Sequence, residues 1–312
     1  MKITSSFNFS KTTLLEIEIL LQKHLQLHKK VSFFVPNPDN YLSLYNGNEV
    51  ETLEGKVIHR GYKTWIDLAH ILRCRMLTPR CVDDVLVMIS YEKLREDSFH
   101  NVDSDVEEKY GCESIFYTLH KNEESGFLHY YKQALENVHV SKRIRILNLG
   151  VNGGDEFELI HQLSENFKDL ELVGIDYCSS AIASAKEKFH TYDNVTFYDY
   201  DITKLDLLSL GLFDLVISIG TLQSTNLSFQ KVLMDIVQKR LKKEGALILG
   251  FPNCRWVDGE MLYGAMMKNY PFSEMSNLYK DVNFAKKYLQ QKKFRVTITG
   301  KDYIFVTATS IR

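Results

Sequence analysis

The sequence predicts an α/β protein: a mainly parallel sheet covered by helices and finished by an antiparallel hairpin, behind a smaller N-terminal α+β unit. Three observations lead there. From residue 145 onward, short apolar runs alternate with helical patterns, which calls for βαβ units. The last two apolar runs, 295–299 and 303–307, are joined only by Gly300, Lys301 and Asp302, a connection that fits antiparallel neighbours. Of 312 residues, 45% are apolar and 25% charged, the ordinary globular balance and enough for one large domain or two smaller ones.

Residues 10–30 read as a helix capped by Ser10, with Leu14, Ile17, Leu21 and Leu25 on one stripe. Lys29 and Lys30 stand at the end its dipole favours. The run 31–35 reads as a strand, stopped by Pro36-Asn37-Pro38. Between 57 and 76 the pattern is mixed: Trp65, Leu68, Ala69 and Leu72 suggest a helix, and 85–89 a buried strand. Residues 1–100 thus form an accessory α+β domain. Asp103, Asp105, Glu107, Glu108 and Glu113 make 101–126 an acidic, solvated connector. A helix over 127–135 opens the second domain, 127–312. Strands at 146–149, 170–175, 195–198, 215–219 and 246–251 alternate there with helices at 156–166, 181–190 and 229–241, with Gly245 as the last helix's stop. A helix over 283–291 precedes the hairpin.

Composition excludes several classes. A net charge of −2 creates no field that draws the whole chain to nucleic acid or an anionic membrane. No signal-peptide run opens the chain, and nowhere do about 18 apolar residues run together, so no membrane partner is expected. Five cysteines at wide spacings, with no C-x-x-C, suit reduced thiols rather than a disulfide or zinc framework. The expectation is a cytoplasmic protein without a metal site.

The chemistry lies at the strand ends. The first strand of the second domain runs into Asn148-Leu149-Gly150-Val151-Asn152-Gly153-Gly154, a turn in which backbone can touch a ligand. Asp176 closes the second strand 22 residues after Gly154, where a carboxylate reaches ribose hydroxyls. Asp201 follows the third strand beside Ile202, a pairing that can accept from an adenine amino group and cover the ring. Each aspartate alone also reads as a helix cap or turn residue, and only their joint placement points to a nucleoside. A pyrophosphate does not suit this turn: Asp155 and Glu156 occupy the helix N-terminus that would bind it, and G-x-G-x-x-G fails at Asn152 and Asp155. A ligand with adenosine, a sulfonium and an amino group suits it better, namely S-adenosylmethionine.

With these motifs in order, together with 213–220 and 241–252, residues 127–312 resemble the class I S-adenosylmethionine-dependent methyltransferases. The resemblance implies a Rossmann-like, seven-stranded sheet with the cofactor at the strand ends. It implies that Asp176 serves the ribose and Asp201 and Ile202 the adenine, with Tyr177 also among the cofactor-binding residues. Gly150, Val151, Asn152 and Gly154 would lie along the methionine half, with Asn148 and Ser218 closing the strands beside it. Two positions depart from the family pattern. Asn148 stands where Asp or Glu is usual, with Asp155 as the candidate to compensate, and Asn152 stands where Gly is usual. These departures keep open a non-catalytic binding protein with a degenerate site.

The methyl acceptor carries no such signature. Residues 218–223 contain neither an Asn-Pro-Pro-Tyr nor a Pro-Cys run, which argues against DNA-amino and cytosine-C5 chemistry. The long connection 251–275 holds Trp256, Tyr263, Tyr270 and Phe272 and reads as an acceptor lid, with Glu260 or Tyr263 as candidate bases, or as packing alone. A small-molecule acceptor is the first expectation. RNA (tRNA or rRNA) is the alternative, because Lys56, Arg60, Lys63, Arg73, Arg75 and Arg80 lie within 56–80, interleaved with Tyr62 and Trp65.

Overall fold

Apolar runs such as 146–149 and 172–175 carry buried side chains on both faces, so they are stable only inside a sheet covered on two sides. In the computed structural model they form that sheet. The structure describes residues 7–53, 55–95, 114, 118–223, 227–265 and 273–311. Most of the acidic connector (residues 101–113), Cys112, Tyr270 and Phe272 lie outside the described residues. The chain divides into two compact units, one of residues 1–98 with 256–262, the other of 99–255 with 263–312.

The first unit contains β1 (Phe7–Asn8), α1 (Leu14–Leu27), β2 (Lys30–Pro36), β3 (Glu49–Thr52), β4 (Gly55–Ile58), α2 (Tyr62–Ile71), β5 (Cys74–Cys81) and β6 (Leu86–Lys93). Its main sheet has the order β1-β2-β6-β5, while β3 and β4 form a separate hairpin. Alternation in β2 buries Val31, Phe33 and Val35 against Ile17, Leu21 and Leu25 of α1 and Trp65 and Leu68 of α2. The Tyr91 hydroxyl donates to the Trp65 carbonyl at 2.6 Å, so this aromatic core leaves its phenol satisfied. Helix α1 starts later than the sequence suggests. Thr13, not Ser10, is the N-cap, because Thr13 and Glu16 form a reciprocal capping box.

The second unit contains α3 (Ser125–Asn137), β7 (Arg145–Leu149), α4 (Asp155–Leu163), β8 (Glu171–Asp176), α5 (Ser179–Lys188), β9 (Val195–Asp199), β10 (Phe213–Ile219), α6 (Phe229–Lys239) and β11 (Leu241–Pro252). After β12 (Cys254–Val257) and β13 (Glu260–Tyr263) come α7 (Ser276–Gln291), β14 (Phe294–Gly300) and β15 (Tyr303–Ser310). Seven strands follow the order β14-β15-β11-β10-β7-β8-β9. The five from β11 to β9 are parallel, and β15 enters antiparallel between β11 and β14. The expected α/β class with a terminal antiparallel hairpin is therefore present. Gly245 is not a helix stop: α6 ends at Lys239, and Gly245 lies inside the longer β11.

The connection 251–275, read as an acceptor lid or as packing alone, contains a β-hairpin of β12 and β13. Asp258 and Gly259 make its turn, both at positive φ, a standard two-residue hairpin connection. In the first unit, Arg75 and Arg95 both hold the Asp258 carboxylate, and Val257 and Leu262 pack on Leu94. No helix among the described residues is long and apolar enough to cross a membrane.

Candidate functional site

The turn after β7 is shaped by what surrounds it. The N–H groups of Gly150 and Val151 both donate to the Ile175 carbonyl, at 2.8 and 3.1 Å, extending the β7–β8 pairing past the strand. Gly150 has φ +79°, and a Cβ there would meet the Thr221 Oγ1 at 1.8 Å. Gly154 has φ +87°, with Phe189 at 2.8 Å from an added Cβ. Both positions therefore require glycine. Asn152 explains its own departure from the family pattern: it adopts φ +44°, the left-handed region that asparagine tolerates, and its Oδ1 accepts from the Gly153 N–H at 2.7 Å.

Asp176 ends β8 against this turn. Its Oδ2 accepts from the Asn152 N–H at 2.9 Å and its Oδ1 from the Cys178 N–H at 3.0 Å. Burial pushes its carboxyl above the ordinary value, and the N–H groups of Cys178, Asn152 and Tyr177 offset this only in part. When ionised, its carboxylate keeps lone pairs free for hydroxyl donors. Tyr177 beside it is about half exposed.

The other sequence candidates have local duties. Asp201 caps the short 3-10 turn Ile202–Leu207, accepting from the Thr203 N–H at 2.8 Å and hydroxyl at 2.7 Å. Burial acts to raise its pKa, but the Thr203 donors and Lys204 hold it below the usual carboxylate range. Ile202 packs on the sheet's core. Ser218 is buried, with its hydroxyl donating to the Leu149 carbonyl at 3.0 Å, which ties β10 to β7. Glu260 lies 3.5 Å from His70 Nε2, within the first unit. The Tyr263 hydroxyl reaches the Met275 Sδ at 3.5 Å.

Two residues that sequence reasoning missed complete the cleft. Glu156, in the first turn of α4, is 2% exposed and pairs with Lys121 at 3.1 Å. Asn148 Nδ2 donates to the other Glu156 oxygen at 3.3 Å, while Asn148 Oδ1 is buried with no partner among the described residues. Desolvation pulls the Lys121 ammonium's pKa down, but Glu156 above all, then Tyr303 and Asp155, hold it above the ordinary lysine value. The carboxylate bonded to Asn148 is Glu156, while the Asp155 side chain reaches Lys188 at 3.4 Å. Lys121, Glu156, Val151, Asn152 and Gly153 line one cleft. The signal for Glu156 was in the sequence: it shares a helical stripe with Leu159, Ile160 and Leu163, where a carboxylate is out of place.

The family model described as "Methyltransferase domain" matches residues 141–300, just over half of the chain. The chain belongs to this methyltransferase-domain family. It is 27% identical over 152 residues to the carboxy-S-adenosyl-L-methionine synthase of Helicobacter pylori (strain P12). That match covers 46% of this chain and spans 60% of the relative's length. Among solved structures, the N-methyltransferase NodS of Bradyrhizobium japonicum WM9, in complex with S-adenosyl-L-homocysteine, is similar at 15% identity and a TM-score of 0.42. It covers 60% of this chain and 89% of its own. The DszA carbon methyltransferase is similar at 17% identity and a TM-score of 0.45, over 60% of this chain and 55% of its own.

The cofactor that goes with the family is S-adenosylmethionine, and the residues present fit it. Asp176 would offer its carboxylate to ribose hydroxyls, and Gly150 keeps the turn clear of a side chain. Asn148 Oδ1 is an orphaned buried acceptor at the same strand end. Asp155 and Glu156 at the α4 N-terminus disfavour a phosphate there.

Proposed function

We propose that the chain is an S-adenosylmethionine-dependent methyltransferase acting on a small-molecule acceptor. The observation that supports this reading is the Asp176 carboxylate bonded to the backbone of the glycine turn, which would join a ribose-binding group and a methionine-side turn in one unit. When bound, the cofactor supplies a sulfonium methyl carbon for in-line displacement. The chain's own contribution is orientation: Asp176 holds the nucleoside end, and the glycine turn sets the path of the amino-acid end. Glu260 lies 3.5 Å from His70 Nε2 and the Tyr263 hydroxyl reaches Met275 Sδ, so neither is assigned a proton-transfer role.

Two observations favour this reading over the alternatives. Arg60 and Trp65 are buried, while Lys56, Lys63 and Arg75 are paired with carboxylates, so segment 56–80 is not one open cationic face for RNA. The left-handed Asn152 and the buried Glu156 account for the two departures without loss of the site, which speaks against a degenerate binding protein. Calorimetric titration with S-adenosylmethionine and S-adenosylhomocysteine tests the reading. Both should bind the wild type, and Asp176→Ala should weaken both by about 30- to 150-fold. Unchanged binding in that variant would remove the ribose assignment, and no binding to the wild type would remove the cofactor. Incubation with small-molecule and RNA extracts then separates acceptors, with S-adenosylhomocysteine release expected only from the former.

A further inference from the structure

A buried ion pair is expensive. Removing both charges from water costs several kcal/mol per ion, and apolar residues of similar volume often serve stability as well. Lys121 and Glu156 have side chains only 9% and 2% exposed, yet they line the cleft beside the glycine turn rather than the interior of the core. Their shared site also holds Asn148 Oδ1, an acceptor with no donor among the described residues. Glu156 Oε2 receives only a long contact from Asn148 Nδ2, at 3.3 Å. Lys121 and Glu156 thus line the cleft together with a second pair, Asp155 and Lys188 at 3.4 Å, and the Asn148 amide is bonded to Glu156 behind them.

We infer that Lys121 and Glu156, with Asn148, form the receptor for the amino-acid end of the cofactor. This rests on the cofactor reading above. An α-amino acid carries one ammonium and one carboxylate, the inverse of the pair that faces it. Lys121 takes the carboxylate; Glu156 and Asn148 Oδ1 take the ammonium. Bound this way, two cations and two anions alternate and no charge is left buried without an opposite neighbour. Without a ligand, Lys121 and Glu156 neutralise each other. A ligand with only one of the two charged groups leaves one buried charge uncompensated, so the site selects for the intact zwitterion. The carboxylate usual in the family at position 148 has in effect moved to the next helix, and Lys121 accompanies it from the segment before α3.

The test is calorimetry on the full chain with S-adenosylhomocysteine, with 5′-methylthioadenosine, which lacks the amino-acid end, and with decarboxylated S-adenosylhomocysteine, which keeps only the amine. The wild type should bind S-adenosylhomocysteine at least about 30-fold more tightly than either analogue, the scale for a truncated buried charge pair. Glu156→Gln and Lys121→Met should each lose most of that preference while binding methylthioadenosine within about threefold of wild type. Retained methylthioadenosine binding also shows that the variant is folded. Should either single variant fail to fold, Lys121→Met with Glu156→Leu removes both charges together and should show the same lost preference. Equal binding of the three ligands by the wild type would overturn this inference alone. So would variants that keep the wild-type preference. Binding of none of them would overturn the cofactor reading as well.

Discussion

The two ends of the central sheet place aspartates in opposite circumstances. At the amino-terminal end, Asp214 of β10 accepts from the Arg145 N–H at 2.9 Å and from Lys242 at 3.0 Å. Burial pushes its pKa up, but these donors outweigh it, and the carboxyl lies below its ordinary value. Arg145 itself grips Glu171 through two nitrogens, donates to the carbonyls of Leu210 and Leu212, and lies 4.7 Å over the Phe213 ring. At the carboxyl end, Asp176 has backbone donors, Lys121 acts on it only weakly, and burial wins, so its pKa is raised. Asn148 Oδ1 beside it has no described partner at all. One end closes its polar groups on each other for stability. The other leaves acceptors unfilled, and a ligand can fill them.

The contrast can be broken most severely at Lys121. Lys121→Met leaves Glu156 buried without its cation and should cost about 3–5 kcal/mol of unfolding free energy, read by urea denaturation. A loss below about 1 kcal/mol would show that water already reaches Glu156. Asp176→Ala should cost about 2–3 kcal/mol of cofactor binding, through lost hydrogen bonds to a charged acceptor, with little change in stability. Arg145→Met should do the reverse, lowering stability by about 1–2 kcal/mol and leaving cofactor affinity unchanged.

The smallest effect sharpens the comparison by titration. Carbon NMR of the carboxyls should show Asp176 titrating above 3.8 and Asp214 below it. The signs then differ in their consequences. Stability contributed by Asp176 is present below its unfolded pKa and lost as pH rises through its raised folded value. That from Asp214 is present above its unfolded pKa and lost as pH falls through its lowered one. Hydroxyl donors favour the ionised form, so cofactor affinity should weaken as pH falls through the Asp176 pKa, with an onset above 3.8.

Features with a local cause were legible in the chain. The βα alternation, the glycine turn, Asp176 at its spacing and the Gly300-Lys301-Asp302 connection each follow from neighbours in sequence. So did the double reading of Asp201, whose cap is made with Thr203 two residues on. The misreadings were also local: Ser10 and Thr13 are both good caps, and the Glu16 partner decides between them. Gly245 looked like a stop because glycine often ends a helix, yet the pairing of β11 with β10 resumes at Leu241.

By itself, then, the sequence determined the class of sheet, the order of its strands along the chain and the glycine turn that follows β7, because periodicity and glycine act over a few residues. Only the tertiary structure decided how the turn's charge is balanced. Lys121 lies 35 residues from Glu156, with a helix and a strand between them. Neither residue has a sequence pattern that names the other. Folding brings them together because the sheet gathers its strand ends at one edge, and burial there sets each charge against the other.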